Sequence, residues 1–207
     1  GRAGEWSWRV NAGYAAEENI FPYLMAGLPD AGASVEFFEV LAGAGADLTI
    51  VDINQDRLDE TTAMLRKIGR RVLNIVADVS NPLDVARMID ETSSNFGQLD
   101  IAVNNAGIVH KPYRFHETPL EEWNRLMAIN LTGVFVCMQK EIAAMLKAQK
   151  GVIINIASMS GRIVNRPQLH SHYNAAKAGV IQYSRSCAAV IPRDQGYTCC
   201  RRCTFDC

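Results

Sequence analysis

Residues 47–105 read DLTIVDINQDRLDETTAMLRKIGRRVLNIVADVSNPLDVARMIDETSSNFGQLDIAVNN, and two periodicities alternate within them. DLTIVD (47–52), RVLNIVAD (71–78) and LDIAVNN (99–105) are apolar runs of strand length. Between the first two, DRLDETTAMLRKIG (56–69) has helical spacing and stops on Gly69. Residues 82–95 read as a second helix, with Asn81 as N-cap and Pro82 at the first position. Strands that are apolar on both faces and alternate with helices belong to a parallel sheet covered on both sides. Right-handed crossovers then make the fold α/β, a Rossmann-like doubly wound parallel sheet.

The same alternation extends outward. FPYLMAG (21–27) reads as a strand and SVEFFEVLAGAGA (34–46) as a helix; downstream come a long helix over 119–148, with Pro119 near its start, a fifth strand GVIINIAS (151–158), and a helix from Tyr173 to about Ala189. Residues 1–19 hold Trp6 and Trp8 with no clear period and stay unassigned. IPRDQGYTCCRRCTFDC (191–207) shows neither period and is expected to be an irregular Cys-rich tail. With no internal repeat or low-complexity linker, 1–207 reads as a single domain.

Composition narrows the function classes. The chain has 207 residues, 48% of them hydrophobic and 21% charged, which supports a real core and excludes bulk disorder. Lys and Arg total 21 against 22 Asp and Glu, so there is no electrostatic footprint for nucleic acid or an anionic membrane. No uninterrupted apolar run approaches the roughly 20 residues of a membrane helix. The first residues lack a signal peptide's apolar stretch, so the expectation is a soluble, cytoplasmic protein. Cys137 and Cys187 sit in apolar helical surroundings as small hydrophobes, whereas Cys199, Cys200, Cys203 and Cys207 crowd the end. A secreted disulfide framework would spread its cysteines. Thiolates suit Zn²⁺, but cysteines this close do not wrap a tetrahedron without structure around them; no metal site is expected, and reactive thiols are. His110, His116, His170 and His172 show no ligand spacing, and His170 and His172 read as part of a polar loop.

A doubly wound sheet binds ligands beyond the carboxyl ends of its strands. Asp52, followed by Ile53, stands there after 47–52. A carboxylate at that point accepts hydrogen bonds from ribose hydroxyls and repels a 2′-phosphate; as a bland alternative it is a solvated turn acid or helix cap. Asp78 ends 71–78 and Val79 follows it, and Asn105 ends 99–105 with Ala106 and Gly107 after it, either as an unusual turn that lets a cofactor approach or as a plain one. Ser158 stands at the tip of 151–158. Tyr173 and Lys177 lie four apart on a helix, hence on one face, where an ammonium favours phenolate and suits the Tyr to acid/base work.

With these residues the sequence resembles the classical short-chain dehydrogenase/reductases over about residues 43–189. NNAG (104–107), Asn130 in AINLTG, Ser158 in NIASMSG and YNAAK (173–177) stand in the family's order. The resemblance implies a catalytic tetrad of Asn130, Ser158, Tyr173 and Lys177. Tyr173 would exchange a proton with the substrate oxygen, Ser158 would orient that oxygen, Lys177 would bind the nicotinamide ribose and tune Tyr173, and Asn130 would anchor a water; Ser160 is the runner-up for the serine role. It also implies cofactor contacts at Gly32, Asp52, Ile53, Asp78, Val79, Asn105, Ala106, Gly107, Tyr173 and Lys177, with NAD expected rather than NADP because of Asp52. SGRIVNRPQLHSHYNAAKAGV is most similar to the branch acting on polyols and sugar-derived ketones, so a small alcohol or ketone is the expected substrate. Relatives pair the helices bearing Asn130 and Lys177 across subunits; Val134, Phe135, Met138, Val180, Ile181 and Tyr183 suit either a homodimer or homotetramer, or packing on the chain's own sheet.

Both ends depart from the family. Its glycine-rich turn TGxxxGIG falls at 27–34, which reads GLPDAGAS; Gly32 matches the middle glycine, while Pro29 removes an amide donor and Asp30 adds negative charge facing phosphates. Residues 21–48 resemble the opening strand–helix–strand of tryptophan synthase alpha chains, and nothing after Asp52 continues that likeness. SRSCAAVIPRDQGYTCCRRCTFDC stands where the family has further strands and a substrate loop, so the sheet is expected to be truncated at its C-terminal end. Two functions follow: an NAD-dependent short-chain oxidoreductase, or an impaired truncated or chimeric relative with weak cofactor binding. A tryptophan-synthase-like lyase is a third, resting on 21–48 alone.

Overall fold

The structure, a computed structural model, describes residues 7–11, 45–109, 111–163, 170–190 and 197–199, with the backbone alone at 7–11, Val190 and 197–199. One six-stranded sheet organises it: β1 (Ser7–Asn11), β2 (Asp47–Asp52), β3 (Val72–Val76), β4 (Ile101–Asn104), β5 (Gly151–Asn155) and β6 (Tyr197–Cys199). The order is β3-β2-β1-β4-β5-β6 and every pairing is parallel. The chain therefore winds to one edge, returns to the centre and winds to the other edge, with the switch point between β1 and β4.

The helices are α1 (Gln55–Arg66), α2 (Pro82–Phe96), α3 (Leu120–Met127), α4 (Val134–Ala148) and α5 (Ser171–Val190). Local chemistry sets their ends. Asn54 accepts from the Arg57 amide to open α1, and Asn81 accepts from the Leu83 amide to open α2 with Pro82 in its first turn. α1 ends at Arg66, and Gly69, at φ 81°, turns the chain toward β3. α3 and α4 are joined without a break by a π-helical turn, Ala128–Gly133.

Core packing follows the strand period. Leu48 and Ile50 of β2, with Ile101 and Val103 of β4, face Leu58 and Leu65 of α1. Val51 and Ala102 face the other way, into a cluster with Val85 and Met88 of α2, Val134, Cys137, Met138 and Met145 of α4, and Val180 and Ile181 of α5. The run Leu120–Ala148 is, by length and composition, apolar enough to cross a bilayer; here the apolar stripe of α4 lies against the sheet.

Three expectations change. The reading of 21–27 as the first strand falls outside the described residues, as does most of 34–46 and of the stretch similar to tryptophan synthase. The central place that a first strand takes is held by Ser7–Asn11, in the segment left unassigned. SWRVN does alternate polar and apolar residues, but it lacks the continuous apolar run of the other interior strands, and parallel pairing on both sides supplies the ladder that defines this strand. Within the expected irregular tail, Tyr197–Cys199 pairs with Gly151–Ile153 as an edge strand. Finally, His170 and His172 are buried, at 3% and 0% exposure, rather than in a polar loop, while His116 lies exposed in the short turn Phe115–Glu117 and His110 is outside the described residues.

Candidate active site

The strand tips form a row along the carboxyl edge of the sheet. Asp52 closes β2, with its side chain buried and its Oδ1 accepting from the Asn54 amide at 2.8 Å. Its carbonyl accepts from the Ala77 amide, which brings Asp78 and Val79 alongside, while Ile53 projects outward. Asp78 Oδ1 accepts from both the amide and hydroxyl of Ser80, at 2.8 and 2.7 Å, so this side chain closes its own turn. Gly32 lies outside the described residues.

The π turn decides the next contact. Asn130, fully buried within it, accepts from the Ile108 amide and donates to the Ile108 carbonyl, each at 2.8 Å. It thereby staples the turn Asn105–Ala106–Gly107 that follows β4, and both ends of its amide are engaged in doing so. Gly133 ends the π turn because a Cβ there would stand 3.0 Å from the Val79 carbonyl oxygen.

On α5, Tyr173 and Lys177 are both buried, and the Lys177 ammonium lies 5.8 Å from the centroid of the Tyr173 ring. Lys177 Nζ donates to the Ile156 carbonyl at 2.8 Å, just beyond β5. Burial holds its pKa well below the ordinary lysine value, at about 8, because desolvation penalises the charged form. A Cβ on Gly107 would lie 3.5 Å from Asn130 Oδ1 and 3.7 Å from Lys177 Nζ, ordinary contact distances that set Gly107 directly beside both groups. Ser158 Oγ accepts from the Ser160 amide at 3.2 Å and caps the turn Met159–Gly161. A Cβ on Gly161 would come within 2.7 Å of the Lys177 backbone, which shows how closely this turn packs on α5. Ser160 Oγ is buried with no hydrogen-bond partner among the described residues.

The structure thus sets Gly107 beside Asn130 and Lys177, Tyr173 beside Lys177 on α5, and Ser158 at the start of the turn whose Gly161 packs on the Lys177 backbone, with Asp52 and Asp78–Val79 farther along the same edge. Sequence reasoning missed Glu141, which is fully buried on α4 and accepts from Asn104 Nδ2 at 2.9 Å. Its signal was present: Val134, Cys137, Met138, Glu141 and Met145 form the buried stripe of α4, and a carboxylate on that stripe is an anomaly. Among the described residues no three His, Cys, Asp or Glu side chains cluster as a metal site.

The family described as short chain dehydrogenase matches residues 30–195. The chain belongs to this family. Among short-chain dehydrogenase relatives, the oxidoreductase YxbG of Bacillus subtilis is 37% identical over 156 residues, covering 75% of this chain and 56% of the relative. Galactitol 2-dehydrogenase of Rhizobium johnstonii is 35% identical over 151 residues, covering 73% of this chain and 58% of the relative. The crystal structure of a short-chain type dehydrogenase/reductase from Mycobacterium marinum superposes with a TM-score of 0.78 at 31% identity, covering 92% of this chain and 71% of that one. The chain therefore spans under two thirds of the length of the two relatives compared by sequence.

Proposed function

We propose that the chain carries the site of an NAD-dependent short-chain oxidoreductase that interconverts a secondary alcohol and a ketone on a small polyol or sugar-like substrate. The observation that carries this reading is the buried Tyr173–Lys177 pair, one helical turn apart, with the ammonium anchored to Ile156 and set beside Gly107 and Asn130. Tyr173 passes its phenolic proton to the substrate oxygen during reduction and takes it back during oxidation. The Lys177 ammonium favours the phenolate at the moment the proton leaves. Ser158 sits at the mouth of the same turn and orients the substrate oxygen. Asn130 holds the turn after β4 that floors the site.

The described residues fit a dinucleotide at two points: Asp52, a buried carboxylate at a strand tip, suits adenosine ribose hydroxyls, and the Lys177 ammonium beside Gly107 suits the second ribose. When bound, the nicotinamide supplies the hydride chemistry. A carboxylate at Asp52 opposes a 2′-phosphate, which supports NAD over NADP. A cytoplasmic setting is part of this reading, in which the buried Cys137 packs as a small hydrophobe. For self-association as a homodimer or homotetramer, Val134, Met138, Val180 and Ile181 are already buried in the chain's own core, whereas Phe135 is half exposed and meets Tyr183 edge-on at 6.5 Å, joining α4 and α5 in one apolar surface.

The test is a thermal melt of the purified chain with and without saturating NADH, followed by NAD reduction with galactitol, xylitol and arabinitol. A cooperative transition that NADH raises, with turnover of a polyol, is the expected result. A cooperative melt indifferent to NADH overturns the reading in favour of the impaired relative, for which Pro29 and Asp30 in 27–34 supply the reason.

A further inference from the structure

Behind the site, a chain of buried polar groups runs from α4 through two strand tips to α5. Glu141 Oε2 accepts from Asn104 Nδ2 at 2.9 Å, and the same Asn104 Nδ2 donates to Asn155 Oδ1 at 2.9 Å. Asn155 Nδ2 in turn donates to Ser184 Oγ at 2.9 Å, and Ser184 Oγ donates to the Val180 carbonyl at 2.6 Å. All four side chains are nearly or fully excluded from solvent. Asn104 and Asn155 are the last residues of β4 and β5, paired across the sheet. The residue after Asn155 is Ile156, whose amide donates to the Asn104 carbonyl and whose own carbonyl receives the Lys177 ammonium.

A carboxylate is costly to bury and is retained only where its hydrogen bonds do something a leucine would not. On the stripe Val134–Cys137–Met138–Glu141–Met145, the other positions are apolar or thiol and fill the core. Glu141 instead fixes the rotation of the Asn104 amide, because its Oε2 accepts at 2.9 Å and only the nitrogen end of the amide can donate to it. With Nδ2 turned toward Glu141 and Asn155, the Asn155 carboxamide is fixed in turn: its oxygen must accept, so its nitrogen must donate to Ser184. One acceptor at one end of the network thus sets the orientation of two amides and clamps the tips of β4 and β5 at the level of Ile156.

We propose that Glu141 is a positioning residue for Lys177: through Asn104 and Asn155 it holds the Ile156 carbonyl where it anchors the ammonium in a water-excluding seat. This rests on the reading of Lys177 as the partner of Tyr173. The network acts through hydrogen-bond acceptance and not through charge, which the choice of variant separates.

The experiment titrates the Lys177 Cε resonance in chain labelled with ¹³Cε-lysine, assigned by its loss in Lys177→Arg; a Tyr173→Phe background removes the titration of the phenol, the titratable group beside it on α5. The wild-type signal is expected to titrate near 8. Glu141→Gln keeps an acceptor for Asn104 and is expected to leave that midpoint in place. Glu141→Leu removes it, frees the strand tips, admits water to the ammonium, and is expected to shift the midpoint up by a unit or more toward the ordinary 10.5. Should Glu141→Leu not fold, Ser184→Ala opens the network at its other end without touching a charge, and a smaller upward shift is expected. A downward shift in both Glu141 variants would mean that the charge acts directly on Lys177, and unchanged midpoints in folded Glu141→Leu or Ser184→Ala would mean that the network positions nothing; either overturns the proposal. None of these readouts needs turnover, so a chain that fails to oxidise polyols, or whose Tyr173→Phe variant keeps full activity, sinks the functional reading without deciding this one.

Discussion

Buried charge is handled differently at the two edges of the sheet. At the amino edge, Asp47 opens β2 and is gripped by Arg70 and Arg71, and the buried Asp100 takes Lys150 at 2.9 Å. At the carboxyl edge, Lys177 forms no ion pair among the described residues and is held by a backbone carbonyl, while Glu141 is met by a neutral amide. Paired charges at the amino edge lock the register where chain segments join and leave nothing for a ligand. A cation seated on a neutral dipole keeps its charge available, at the cost of desolvation that shows in its lowered pKa. The first arrangement serves the fold, and the second, on the function proposed above, serves chemistry at the fold's expense.

The sharpest way to break this contrast is Tyr173→Phe. Removing a general acid/base costs roughly 10²–10⁴ in rate, so kcat for polyol oxidation should fall by that much with an unchanged melt. An active variant would show that the carboxyl edge is merely structural.

Lys177→Met should separate function from stability. Between about 8 and 10.5 the unfolded chain binds more protons at this lysine than the folded chain, so stability rises with pH across that window; at pH 7 the full burial cost, roughly 3 kcal/mol, is present. The variant should therefore lose activity, melt a few degrees higher at pH 7 despite the lost bond to Ile156, and lack the stabilisation between pH 8 and 10.5 seen in wild type. Calorimetry across that range reads the difference.

Gly161→Ala places a Cβ 2.7 Å from the Lys177 backbone, and the turn must retreat from α5. Overpacking of this kind costs about 1–3 kcal/mol, and because Ser158 opens the turn, kcat should drop more than the melt suggests. Asp47→Ala is the counterpart at the amino edge. Its arginine partners are partly exposed, at 31% and 63%, so the loss is about 1–2 kcal/mol by denaturant unfolding, with kcat unchanged. Smallest of all, Phe135→Glu on the exposed side of α4 should shift monomer stability by less than about 0.5 kcal/mol while abolishing the proposed self-association by analytical ultracentrifugation.

Legibility in the sequence tracks length and periodicity. DLTIVD was readable to the residue, since Leu48, Thr49, Ile50 and Val51 form the apolar, β-branched run of an interior strand with an aspartate at each end. The Asn81–Pro82 start of α2 was readable because capping is local. Ser7–Asn11 and Tyr197–Cys199 were not, because SWRVN lacks a continuous apolar run, YTC is only three residues long, and both become strands through their neighbours. Asn130, Tyr173 and Lys177 were visible as a motif, and their spacing on a helix already put the last two on one face. Glu141 was visible only as a polar letter on an apolar stripe.

What the sequence determined by itself is therefore the alternation of strands and helices, the doubly wound class, the caps, and the residue types gathered at the carboxyl edge; these follow from period, backbone chemistry and motif, all short-range properties. Tertiary structure decided which segment occupies the centre of the sheet, that a π turn aims Asn130 at Ile108, and that Glu141, Asn104, Asn155 and Ser184 form one network. The physical reason is that parallel pairing and buried hydrogen bonds join residues 29 to 51 positions apart in that network, where no local pattern constrains them and only the packed sheet brings donor to acceptor.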